Sequence, residues 1–177
     1  MSRTFPHSGV LPAGTPLDDP RILGPTLNPR DVRRGLMRQF AGQHYECIVE
    51  IGTWRGVSAA LLAQFAEHVV TIDVWAQPQV AQVIDYLGLQ ERVTAIVLPD
   101  DLAKKMLLFD LIFDAAYVDG AHDFASAALD FACVRRCGRV LFDDCTSPGV
   151  QRLLDGLGAE GQVTISKPFA WWRATAC

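Results

Sequence analysis

The apolar run Cys47-Ile48-Val49 leads directly into Glu50-Ile51-Gly52-Thr53-Trp54-Arg55-Gly56, after which the chain reads as helix. A short β-branched run that breaks at one glycine and resumes as helix after another is the strand, turn and helix of a nucleotide-binding α/β unit. The residues inside the turn narrow its ligand. A dinucleotide turn needs glycines spaced G-x-G-x-x-G so that bare backbone can press on a pyrophosphate, yet counting from Gly52 the later two places hold Trp54 and Val57. Gly52 and Gly56 still let the chain turn tightly under a smaller ligand. Glu50 sets a carboxylate beside that turn, which repels a phosphate and suits a cationic group.

Downstream, strand and helix patterns alternate. Strands are expected at 47–52, 69–73, 93–98, 115–119 and 139–143, and helices at 57–66, 78–86, 102–112, 124–134 and 149–157. The fourth strand is placed after Asp114, because an unpaired carboxylate inside a buried ladder is costly. Two last strands, 162–166 and 169–175, flank Lys167-Pro168, which reads as a hairpin turn. The adjacent Trp171 and Trp172 must face opposite sides of their strand, one in the core and the other over a helix or a dimer contact. Strands separated by helices imply a parallel sheet covered on both faces, with ligands at the carboxyl ends of its strands. The fold class is therefore α/β, a Rossmann-like, doubly wound, mostly parallel seven-stranded sheet ending in an antiparallel hairpin. Asn28-Pro29 starts a preceding helix with Val32, Leu36 and Phe40 on one face and Arg30, Arg34 and Arg38, a solvated stripe, on another. Residues 1–27, with five prolines, read as an extended arm, and 28–177 as one domain.

The rest of the composition mainly excludes. A formal charge of −4 with acids and bases evenly scattered offers no broad basic surface for nucleic acid. No run reaches the roughly 18 to 20 apolar residues of a membrane span, and the first residues lack a signal-peptide core, so a cytoplasmic protein is expected. Five cysteines without C-x-x-C pairing argue against a disulfide framework or a zinc ribbon; Cys133 and Cys137 read as small core residues.

S-adenosylmethionine, with its ammonium and sulfonium, meets the requirement that Glu50 sets. Ile48 to Ala63 resembles the first motif, E-x-G-x-x-x-G, of the class I S-adenosylmethionine-dependent methyltransferases. The resemblance continues at Thr71-Ile72-Asp73, at Tyr117-Val118-Asp119-Gly120-Ala121-His122-Asp123-Phe124 and at Gly138-Arg139-Val140-Leu141-Phe142-Asp143-Asp144. The later pieces are similar to small-molecule O-methyltransferases related to macrocin O-methyltransferase and cephalosporin-hydroxylase-like proteins. This similarity runs from Asn28 to the C-terminus.

Asp73 ends its strand about twenty residues after Gly52, the distance at which a carboxylate meets ribose hydroxyls; the resemblance makes it the ribose ligand, with Val74 beside it. Ser58, in the first turn after Gly56, lies where free N–H groups face a ligand carboxylate, and Thr53 adds a hydroxyl. Asp100 and Asp101 match the position that contacts the adenine edge; either could equally cap the following helix. Trp54 and Trp75 are candidate walls for the adenosine.

Asp119, His122, Asp143 and Asp144 should meet on one pocket edge. Crowded carboxylates are usually reconciled by a cation, and oxygen donors suit magnesium rather than zinc. The resemblance implies that Asp119, Asp143 and Asp144 bind Mg²⁺ and that Asp119 and His122 are catalytic, His122 as the base. Several relatives carry glutamate where this chain has the shorter Asp143. The other reading of these residues is structural, with aspartates capping helices and His122 bonded to backbone. The expected activity is methyl transfer from S-adenosylmethionine to a hydroxyl oxygen of a small molecule, with Mg²⁺ assistance, and a homo-oligomer is a candidate assembly. The alternatives are an inactive cofactor-binding partner subunit and a nucleotide-sugar or NAD-linked enzyme.

Overall fold

The computed structural model describes residues 29–175; the arm at 1–27 and Asn28 lie outside them. Helix α1 (Pro29–Phe40) leads into β1 (Tyr45–Ile51), α2 (Val57–Leu62), β2 (Ala66–Asp73), α3 (Pro78–Tyr86) and β3 (Val93–Val97). There follow α4 (Asp101–Asp110), β4 (Ala115–Val118), α5 (Phe124–Val134), β5 (Arg139–Phe142), α6 (Pro148–Leu157), β6 (Gly161–Ser166) and β7 (Phe169–Ala174).

The seven strands form one sheet in the order β3-β2-β1-β4-β5-β7-β6. Pairing is parallel from β3 to β5 and antiparallel at β5–β7 and β6–β7. The order reverses between β1 and β4, and their carboxyl ends open the crevice where such sheets bind ligands.

Strand alternation divides the core into two layers. Ile48 points with Tyr117 and Leu141 toward Leu36, Phe40, Leu61, Leu62 and Ile84 of α1, α2 and α3. Val49 and Ile51 point the other way with Phe142, toward Leu108, Phe131, Leu153 and Leu157 of α4, α5 and α6. The tryptophan pair obeys the same rule, but both members are buried and neither is left for a dimer contact. Trp172 packs edge-on to Phe131 at 4.9 Å, and Trp171 sits 5.3 Å from Phe40 while its Nε1 donates to Gln39 Oε1 at 3.0 Å. Arg34 and Arg38 are exposed, as a solvated helix face requires.

Two helices end earlier than the sequence reading expects, the first because of a distant partner. The helix expected to reach Ala66 stops at Leu62: the Arg92 guanidinium donates to the carbonyls of Ala63 and Ala66, satisfying the open helix end and freeing Ala66 to begin β2. Helix α4 stops at Asp110, two residues early, because Leu111 turns to extended backbone. Asp114 lies outside the ladder, and its carboxylate accepts from the N–H groups of Glu46 and Cys47 at 2.8 and 2.9 Å. The described cysteines are free, and burial pushes the Cys47 and Cys137 thiols up to about 11. No helix among the described residues is long and apolar enough to cross a membrane.

Fully buried Phe40 joins α1 to Tyr45, Phe65 and Trp171. Phe40→Ala is expected to destabilise the protein by about 3–5 kcal/mol, read as a lower midpoint in urea denaturation. A change under about 1 kcal/mol would show that α1 contributes little to the core.

Candidate active site

The turn after β1 is shaped by close approach. Gly52 has φ 99°, and a Cβ there would lie 2.1 Å from the Asp119 carbonyl oxygen, so only glycine lets the exits of β1 and β4 touch. Trp54 also takes a left-handed conformation, φ 43°, which is strained for a bulky residue. The Asp73 carboxylate holds it there, accepting from Trp54 N–H at 2.8 Å with one oxygen and from Trp75 N–H at 3.2 Å with the other.

Beneath the turn Glu50 is fully buried. The Thr71 hydroxyl donates to its Oε2, and Thr53 Oγ1 lies 2.6 Å from Thr71 Oγ1. Burial raises Glu50 to about 7; the nearby Ser58 hydroxyl favours the ionised form but leaves Oε1 without a partner among the described residues.

A cavity of about 400 Å³ opens at the carboxyl ends of β1 to β4, of the size that takes a small organic ligand. Gly52, Trp54, Asp73, Val74, Leu98, Asp101, Lys104, Asp119, Ala121, Ser126 and Asp130 are among the residues that line it. Of the residues expected to meet the cofactor, Gly52, Asp73, Val74, Asp101 and Asp119 line it. Glu50, Thr53, Gly56, Ser58 and Asp100 stand behind or beside it. Asp100 takes the capping role, its Oδ1 accepting from Leu102 and Ala103 N–H at 2.6 and 3.3 Å.

The acidic cluster lies alongside. The Tyr117 hydroxyl, buried beneath β4 and β5, is 2.8 Å from Asp143 Oδ2 and 3.3 Å from Asp119 Oδ2. Burial, then the charges of Asp143 and Glu50, push Asp119 up to about 8. Asp143 also rises through burial, although the Asp144 N–H donates to its Oδ1 at 2.8 Å. Asp144 is left-handed at φ 44° and turns outward. His122 stands between the carboxylates, Nδ1 3.3 Å from Asp144 Oδ2 and Nε2 3.6 Å from Asp119 Oδ1. The second distance is too long for a hydrogen bond, so Nε2 is buried without a partner among the described residues.

The cluster is thus short of positive charge, and its donors are oxygens, which suits a hard cation. Among the described residues, however, no three acidic, imidazole or thiol groups stand together as a ready cation cage; the Tyr117 hydroxyl bridges Asp119 and Asp143 instead. The sequence reading assigns Tyr117, Lys104, Ser126 and Asp130 no role in the site. For Tyr117 a signal existed: it is two residues before Asp119, so strand alternation turns it to the same side.

Residues 49–145, more than half of the chain, match the family described as "Methyltransferase domain". No curated protein is recognisably similar in sequence. Among solved structures, the Bacillus cereus O-methyltransferase in complex with S-adenosylhomocysteine superposes with a TM-score of 0.65 at 19% identity, covering 84% of this chain and 82% of that one. TomG, an O-methyltransferase of tomaymycin synthesis from Streptomyces achromogenes in complex with S-adenosylmethionine, gives 0.65 at 21% identity, covering 86% and 82%. The S-adenosylhomocysteine-bound methyltransferase PaMTH1 of Podospora anserina gives 0.67 at 18%, covering 85% and 80%. The chain belongs to the methyltransferase domain family, with the fold of the class I, S-adenosylmethionine-dependent enzymes.

Proposed function

We propose that this protein transfers the methyl group of S-adenosylmethionine to a hydroxyl oxygen of a small molecule, a sugar or secondary metabolite, using His122 as the proton acceptor. The observation that carries this reading is the position of His122, beside the cavity wall at Asp119, with Nδ1 facing Asp144 and Nε2 buried and unpartnered. A carboxylate on one ring nitrogen fixes the tautomer and supports the charge that the other nitrogen acquires. Bound cofactor supplies an electrophilic methyl carbon on a sulfonium. His122 Nε2 would take the proton of the acceptor O–H, and the bound cofactor would supply its methyl group to the freed oxygen pair, keeping the C–S electrons as S-adenosylhomocysteine. Asp73 is suited to the ribose hydroxyls, and the free N–H groups after Gly56 to the methionine carboxylate.

The acidic donors fit a divalent cation by chemistry. Asp119, Asp143 and Asp144 would hold Mg²⁺, and it would lower the pKa of the acceptor hydroxyl. The fold-level likeness to two O-methyltransferases supports oxygen as the acceptor atom. The absence of the dinucleotide glycines weighs against NAD, and the unpartnered base weighs against an inactive subunit.

Methyl transfer from labelled S-adenosylmethionine to a panel of hydroxylated sugars and secondary metabolites tests the reaction. His122→Ala should lower the rate by about 10²–10⁴-fold with S-adenosylhomocysteine affinity unchanged in calorimetric titration. An undiminished rate would remove His122 from the chemistry, and tight binding of NAD in the same titration would overturn the cofactor assignment.

Chelation with EDTA should lower the rate and added Mg²⁺ should restore it. A rate indifferent to both would leave the chemistry to His122 alone.

The raised Asp119 has a consequence for stability. From the ordinary carboxylate range up to about 8, the unfolded chain has released this proton and the folded chain retains it, so stability falls as pH rises through that window. Wild-type melting temperature should therefore decline from pH 5 to pH 8, with Asp119→Asn flattening the decline and melting higher than wild type at pH 8. Parallel pH profiles for the two proteins would refute the assignment.

A further inference from the structure

Helix α6 carries two glycines in opposite surroundings. A Cβ at Gly156 would meet nothing within 4 Å, whereas one at Gly149 would lie 2.3 Å from the His122 carbonyl oxygen, 2.6 Å from the Phe124 nitrogen and 2.7 Å from the Asp123 carbonyl carbon. The backbone at Gly149 is not left-handed, so conformation does not call for glycine there, and glycine is a poor helix former. What the position requires is the absence of a side chain. The first turn of α6 thus presses, backbone to backbone, on the segment that carries the proposed base.

A second contact runs the same way. Three positions on, and so on the same side of α6, Arg152 sets its guanidinium 4.4 Å from the centre of the Phe124 ring. The apolar face that seats α6 on the core is Val150, Leu153, Leu154 and Leu157; Gly149 and Arg152 lie beside that face, and seating the helix does not account for them. From the other side Asp123 ties the segment to α5, its Oδ1 accepting from Ala125 and Ser126 N–H at 3.0 and 3.1 Å. The start of α6 also governs the carboxylate that faces the base. Ser147 N–H donates to the Asp144 carbonyl at 2.8 Å, closing the turn that joins the end of β5 to α6. One helix start therefore fixes both sides of the His122–Asp144 contact, where Nδ1 stands 3.3 Å from Oδ2.

We infer that Gly149 and Arg152 are positioning residues for methyl transfer: α6, pressed on residues 122–124, holds His122 against Asp144 and aims its Nε2 at the acceptor hydroxyl. The inference rests on reading His122 as the proton acceptor. A methyl at residue 149 reaches ordinary contact, 3.4 Å or more from the His122 carbonyl, only if the two segments part by about 1 Å, a displacement that can cost about 10²-fold in rate when it misplaces a reacting group.

Steady-state methylation of a hydroxylated acceptor that wild type accepts, with calorimetric titration of S-adenosylhomocysteine alongside, tests this. Gly149→Ala should lower kcat by about 10²-fold, with KM for S-adenosylmethionine and affinity for S-adenosylhomocysteine within about twofold of wild type. Arg152→Ala removes an exposed side chain and should lower kcat about twofold to fivefold, the worth of a cation–π contact at an exposed site; it keeps the test decisive if Gly149→Ala does not fold. In a His122→Ala background neither change should lower the residual rate further, because no base remains to misplace. Unchanged kcat in both single variants, or equal losses with and without His122, would overturn the inference and leave α6 a packing element. If His122→Ala keeps the wild-type rate, or wild type methylates no acceptor, the assignment of the base itself fails, and this inference fails with it.

Discussion

The contact between the exits of β1 and β4 governs the geometry of everything at the rim of the sheet. With no Cβ at Gly52, its backbone meets the carbonyl of Asp119, which brings the cofactor-type turn and the Asp-Gly-Ala-His segment side by side. The neighbouring β2 adds Asp73, whose two carboxylate oxygens fasten the strained Trp54 and the start of the next loop. A side chain at residue 52 would push the two strand ends apart by a distance comparable to a bond length. A methyl transfer that needs reacting atoms aligned at contact distance tolerates little of that displacement. The glycine is therefore a geometric requirement of the sheet's rim, expressed through backbone packing, although it carries no reactive group.

The second constraint is electrostatic and works against the first. Bringing strand ends together also brings their carboxylates together, and Glu50, Asp119 and Asp143 all rise above the ordinary carboxylate range chiefly through burial. A chain selected for stability alone would place amides or apolar groups at these positions. Retaining acids makes the free protein less stable near neutral pH, and a cationic ligand bound beside them would favour their ionised form.

The fold was readable because its signals are local. Apolar runs of four to eight residues, glycine breaks and a Pro-initiated helix at Pro78 lie within the windows that set them, and the strand and helix order follows from them. Where the reading slipped, the cause lay far along the chain: Arg92, 30 positions after Leu62, ends α2 by bonding carbonyls at Ala63 and Ala66. The site divides in the same way. Residues at strand exits, such as Asp73 and Asp119, were visible by position. Between Asp100 and Asp101 the sequence holds no preference, because which carboxylate turns back onto the helix N–H groups depends on the backbone angle at the strand exit.

Lys104 marks the deeper limit. In sequence it belongs to an ordinary Lys104-Lys105 pair on a mildly amphipathic helix, and the usual expectation for lysine is solvent. Its burial is decided by Asp130, 26 residues away on α5, and by the missing side chain at Gly120 that admits the carboxylate. None of the three is informative alone: one of two lysines, an aspartate amid the apolar residues of a helix, a glycine in a loop. Together they place a buried ion pair in the wall of the cavity. A buried ion pair assembled from several weakly typed residues on different elements is the kind of feature that a motif does not encode, and its physical account has to begin from which charges are buried and what they face.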